Sequence, residues 1–136
     1  MTGRASGPTT KMVCFSAGGV RYAIPVDATL AVRTVAGMVT LPEPLPDVIG
    51  VLPGDPPLSV IAPLGTAADA NHILVVTTPD LDYGLLVDAV TEICAFDDRL
   101  IRAAPAGQDA DLIAGVAERA GAIVLIADPE ALAARL

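Results

Sequence analysis

The chain has 136 residues, 53% of them hydrophobic and only 3% aromatic, so a core of aliphatic side chains in a single domain is expected. It carries a net charge of −8 with one lysine, Lys11, which excludes nucleic-acid binding and docking on an anionic membrane, since both need clustered cations. Pro, Gly and Asp interrupt every apolar run before it is long enough to span a bilayer.

In chain order, residues 1–11 (MTGRASGPTTK) lack an apolar stretch and predict a disordered tail rather than a secretory signal. From Met12 the pattern alternates. Val13 and Phe15, then Val20, Tyr22 and Ile24, flank Gly18-Gly19, which predicts a β-hairpin. Pro25 ends the second strand, and Leu30 and Val32 resume the alternation. Leu41 to Pro46 has proline at every second position, which forbids a helix and predicts an extended crossover. Val48–Leu52 and Leu58–Ile61 read as strands around a Pro-Gly-Asp-Pro-Pro loop.

The chain then repeats itself. Ile73 to Ile93 aligns with Met12 to Val32 at a constant step of 61 residues, placing Tyr83 on Tyr22, Val87 on Val26 and Asp88 on Asp27. Residues 115–127 align with 50–62 at a step of 65. Pro79-Asp80 takes the place of the Gly-Gly turn: the turn persists while its chemistry changes. Two pseudo-repeat halves are expected, about 12–65 and 73–127, joined by a polar link over residues 65–71, with a solvated excursion over residues 96–112. Duplication of this kind suits two small units packed on each other. At the end, Asp128 is an N-cap, Pro129 fits the first helical position, and Leu132 and Leu136 share a face, predicting a closing helix over 129–136. Many short strands with turns between them mean an all-β fold of sandwich or barrel type.

No catalytic constellation emerges. His72 precedes a strand and has neither a nucleophile nor an orienting carboxylate near it in sequence, so it reads as a strand-entry residue. Asp97-Asp98 and Asp109 with Asp111 lack the ligand steps of a calcium loop. Asp27 and Asp88 occur once per copy and read as caps of short helical turns rather than an acid/base pair. No glycine string forms a phosphate loop. Cys14 and Cys94 stand among apolar neighbours and read as two buried thiols without a motif. No cofactor and no metal are expected.

The strings FSAGGVRYAIPV, LPEPLPDVIGV, HILVV, DYGLLVDAVTEI and GVAERAGAIVLIADPEAL resemble, in order and spacing, the CheW-like domain of chemotaxis coupling proteins. The resemblance covers nearly all of residues 12–136, as a single domain. It implies two five-stranded SH3-like barrels packed as pseudo-repeats around an apolar seam, with a short C-terminal helix. It also implies a cytoplasmic, non-enzymatic scaffold. The implied partners are the regulatory domain of a CheA-type histidine kinase, the cytoplasmic tip of a chemoreceptor, and other CheW-like domains. The interface positions it implies are Val26, Ala31, Val32, Gly50, Val51 and Asp55. Two of them depart from the family pattern: Ala31 stands where a glutamate is common, and Asp55 where an arginine is common. The missing acid and the missing base leave no charge without its mate. Two other classes of function remain beside the adaptor. One is a small ligand-binding or hydrolytic barrel, which predicts a deep pocket with converging polar groups. The other is a self-associating structural domain that no longer couples a kinase.

Overall fold

The computed structural model describes residues 8–41, 47–66, 70–104 and 111–136. Most of the expected tail, the proline crossover from Pro42 onward, the middle of the polar link, and the part of the excursion that holds Asp109 lie outside the described residues. The strands are β1 (Thr9–Ala17), β2 (Val20–Pro25), β3 (Thr29–Thr34), β4 (Val39–Thr40), β5 (Val48–Leu52), β6 (Leu58–Ile61), β7 (His72–Thr77), β8 (Asp82–Val87), β9 (Ala89–Asp97), β10 (Ile113–Arg119) and β11 (Ala122–Ala127). One short helix, α1 (Pro129–Ala133), follows. β1 begins three residues before Met12 because Thr9 to Lys11 continue its ladder with β9, where Thr9 pairs with Asp97.

Local chemistry accounts for the hairpins. Gly18 and Gly19 both have positive φ (59° and 82°), the two-residue turn that matches the twist of the flanking strands. Ala120 and Gly121 make the same turn between β10 and β11, with φ of 53° and 78°. Between β7 and β8 the Thr78 hydroxyl accepts from the amides of Asp80 and Leu81, so a side chain does the work that left-handed glycines do elsewhere. Asp128 caps α1 by accepting from the amides of Glu130 and Ala131. The expected caps at Asp27 and Asp88 do not form. Asp27 lies inside a 3-10 turn, Val26–Ala28, whose cap position is Pro25, and Asp88 joins β8 directly to β9 with no helical turn after it.

The strands form two sheets, the two SH3-like barrels of an all-β fold. The first has the order β10-β11-β2-β1-β9 and the second β3-β7-β8-β6-β5-β4. The boundary between the sequence copies is therefore not the boundary between the sheets. Each barrel takes the opening hairpin of one copy (β1-β2 or β7-β8) and the later strands of the other. The exchange is symmetric. β3 pairs antiparallel with β7 as β9 does with β1, and β6 runs parallel to β8 as β11 does to β2.

Each barrel closes where a stretch of backbone crosses a glycine. β4 pairs Thr40 with Gly50, and Arg102 bridges Val116 through two 2.8 Å hydrogen bonds beside Gly115. A Cβ on Gly50 would lie 2.7 Å from the Val39 carbonyl oxygen, and one on Gly115 would lie 2.9 Å from that of Arg102. Equivalent glycines thus admit equivalent crossings.

Among the described residues, buried side chains gather in three apolar clusters. The interior of the first barrel holds Met12, Cys14, Ala23, Cys94, Phe96 and Val124, and that of the second holds Leu52, Val60, Ile73 and Leu86. The largest cluster is the seam between them, with Phe15, Tyr22 and Ile24 from one sheet against Leu74, Val76, Tyr83 and Leu85 from the other. Leu132 of α1 is fully buried in this seam, and the Tyr83 hydroxyl donates to the Pro129 carbonyl at 2.7 Å, so the helix closes the seam from one end. Among the described residues, no helix is long and apolar enough to cross a membrane.

Candidate docking groove

β3 is an edge strand. Among the described residues it pairs with β7 on one side only, and five of its six residues are exposed. Such edges are normally blunted by charge or proline; here Arg33 is the only charged residue on the strand. Across from β3 runs β9. Leu30 and Val32 on β3 are 59% and 48% exposed and Ile93 on β9 is 63% exposed, unusual values for large aliphatic side chains so close together. With Val26, Thr29, Ala31 and Val90 they line a shallow groove of about 170 Å³ whose floor is Val13 and Leu74. The groove follows the internal repeat. At the step of 61 residues Val32 corresponds to Ile93, Thr29 to Val90 and Val13 to Leu74, so its two walls are the same structural position taken from opposite copies. No lining residue is charged.

The six positions implied by resemblance divide. Val26, Ala31 and Val32 come together on this groove. Val51 is half-buried on β5, and Asp55 is exposed in the loop between β5 and β6, with β7, β8 and β6 between them and β3 in the strand order. Gly50 is buried and serves the barrel crossing. Leu30, Val90 and Ile93 were not among the implied positions. The signal that finds Ile93 is the repeat itself, which lays it on Val32.

A larger cleft of about 470 Å³ lies on the first barrel, lined by Cys14, Ser16, Arg21, Tyr22, Thr91, Glu92 and Arg119 among others. Arg119 pairs with Glu92 at 3.4 Å. A hydrolytic nucleophile turning over substrate there would need a base beside it, and His72 is instead on β7, its Nδ1 3.3 Å from the Asp88 carbonyl oxygen. Asp97 accepts from the Arg99 side chain, which holds its carboxyl below the usual carboxylate range, and Asp98 accepts from Thr10 at 2.7 Å. Among the described residues no three His, Cys, Asp or Glu side chains gather as a metal site would require. The seam, where a barrel turned enzyme would place its pocket, is filled by side chains.

The sequence model of the CheW-like domain matches residues 56–136. The chain belongs to the CheW-like domain family. Among solved structures, this CheW-like chain is similar to the crystal structure of the scaffolding protein TtCheW from Thermoanaerobacter tengcongensis, with a TM-score of 0.77 and 22% identity over 89% of this chain and 90% of that one. No curated protein matches the sequence. The structural likeness extends the CheW-like fold through the first half, which the family model leaves unmatched, and it agrees with the paired barrels described above.

Proposed function

We propose that this CheW-like chain is a non-enzymatic, cytoplasmic adaptor coupling chemoreceptors to a CheA-type histidine kinase in chemotaxis-type signalling. The uncharged groove between β3 and β9 supports this most directly. A shallow aliphatic trough lined from both sides suits the apolar stripe of an amphipathic helix, and a chemoreceptor tip is a helical hairpin. Val26, Ala31 and Val32 are the implied interface residues on it, joined by Leu30, Val90 and Ile93. Val51 and Asp55, at the β5–β6 end of the second barrel, are assigned to a separate contact with the kinase regulatory domain or another CheW-like domain. With Ala31 and Asp55 replacing the usual acid and base, apolar contact carries a larger share of both contacts.

The test is titration of the purified protein with a receptor-tip hairpin and, separately, with the kinase regulatory domain. Replacing a docked aliphatic side chain removes about 1.5–3 kcal/mol of burial, so Val32→Asp and Ile93→Asp should each weaken the receptor arm by about 10-fold or more and leave the kinase arm unchanged. Wild-type protein that binds neither partner at about 100 μM would end this reading.

A further inference from the structure

The two cysteines stand 80 residues apart in sequence, one in each copy, yet their Sγ atoms are 2.9 Å apart on neighbouring strands of the first barrel. Cys14 on β1 and Cys94 on β9 are diagonal neighbours: Met12 pairs with Cys94, Cys14 pairs with Glu92, and the ladder shifts register immediately after Cys14. Both side chains are buried and both are free thiols. Cys14 also forms part of the wall of the 470 Å³ cleft, whose rim residues Gly19, Arg21, Thr91 and Arg119 are exposed. In a chain of net charge −8 with eight basic residues, Arg21 and Arg119 meet on that one cleft; Glu92 lines it too and pairs with Arg119, which leaves the lining one positive charge in excess.

We propose that Cys14 and Cys94 are a modification site: they form a reversible intramolecular disulfide, and a small anionic disulfide of the glutathione type, entering by the arginine-rimmed cleft, is the oxidant. The exchange balances without any other reactant. The Cys14 thiol loses its proton to water, and its sulfur attacks one sulfur of the oxidant. The oxidant's S–S bond breaks, and the first leaving thiolate takes up a proton. The Cys94 thiol then loses its proton, and its sulfur attacks the Cys14 sulfur of the mixed disulfide. The second small thiolate leaves and is protonated. Two protein thiols are oxidised to one disulfide and one small disulfide is reduced to two thiols.

Burial pushes the Cys14 thiol up to about 12, with the Cys94 hydrogen bond, the Cys94 charge and Glu92 adding to the rise and Arg119 opposing it. The attacking thiolate is therefore scarce at neutral pH, and the rate climbs about 10-fold per pH unit from 7 to 9.

The experiment incubates the folded full-length protein with glutathione disulfide, blocks the remaining thiols, and digests with trypsin without reductant. Cleavage after Lys11, Arg21, Arg33 and Arg99 puts Cys14 in the peptide Met12–Arg21 and Cys94 in Thr34–Arg99. The expected result is these two peptides joined, in monomeric protein, and released by dithiothreitol. Because the bond closes a loop of 80 residues, the Tm should rise by about 7–14 °C. Cys14→Ala and Cys94→Ala should show neither the link nor the rise. A glutathione adduct without the joined peptides, a disulfide between two molecules, or thiols that couple only after unfolding in guanidine would each overturn the proposal.

Discussion

Gly50 and Gly115 offer a sharp test of how the barrels close. At Gly50→Ala the new Cβ meets the Val39 carbonyl oxygen at 2.7 Å and the Met38 side chain at 3.1 Å. An unstrained carbon contact lies near 3.5 Å, so the crossing backbone must retreat by most of an ångström. What retreats is β4, only two residues long and held to β5 at Val39–Val51 and Thr40–Gly50, with Leu41 donating to the Ile49 carbonyl at 3.3 Å. Overpacking costs about 1–3 kcal/mol and a weakened hydrogen bond about 1, while removing a strand glycine returns about 0.5–1. The net loss is about 2 kcal/mol. Gly115→Ala should cost about 3 kcal/mol, since its Cβ meets both the Arg102 oxygen and the Ile101 side chain at 2.9 Å beside two short hydrogen bonds. Gly54→Ala is the control: its Cβ meets nothing closer than the Pro56 oxygen at 3.4 Å, so its stability should stay within about 0.5 kcal/mol of wild type. Urea unfolding at constant m-value measures all three. If the Gly50 and Gly54 variants unfold at the same midpoint, the close-crossing argument is wrong, and Gly50 owes its place to something other than backbone approach.

Leu132→Ala should destabilise the protein by about 2–4 kcal/mol in the same assay, because it opens a cavity where α1 seals the seam. Tyr83→Phe tests an alkaline linkage. Burial, then the charge of Asp128, raises the Tyr83 phenol well above its usual value of 10.0, so the unfolded chain ionises first. The stabilisation is complete below pH 10 and is lost above it at about 1.4 kcal/mol per pH unit, and the phenylalanine variant should show a shallower fall by that amount between pH 10 and 12. At the acid end, the hydrogen bond from Arg135 holds the Asp111 carboxyl below 3.8; its contribution is present above that pH and is lost as pH falls through the lowered value. Asp111→Asn should therefore flatten the acid limb of the stability curve followed by circular dichroism, and an unchanged limb would refute the pairing.

What could be read from the residues was local. Gly18-Gly19 needs only its own φ angles, Asp128 only the two amides that follow it, and Tyr22 with Tyr83 only a common spacing. The strand exchange could not be read this way. A repeat says which segments are alike, and the two assignments of β3 and β9 to β1 and β7 bury the same kinds of side chain. Only the geometry of the connections decides between them. The same limit hid the cysteine contact, which depends on β9 returning to β1 across 80 residues. It hid the exposure of Leu30 and Ile93 as well: alternation predicts a strand but not which face a second barrel leaves open. Asp27 and Asp88 misled for a related reason. A carboxylate after an apolar run is what a helix cap looks like, yet neither is followed by enough helix to cap.

The exchanged strands bear on how such a chain could arise. One copy alone owns the opening hairpin of one barrel and the remainder of the other, so an isolated half has two incomplete sheets and no way to close either. Two identical halves on separate polypeptides would complete each other, each lending its hairpin to its twin. The present molecule has the layout of a domain-swapped homodimer whose two subunits were fused end to end, with the link between residues 65 and 71 as the splice. In a layout of this kind the two halves need not stay identical, and one wall of the groove presents Val32 where the other presents Ile93.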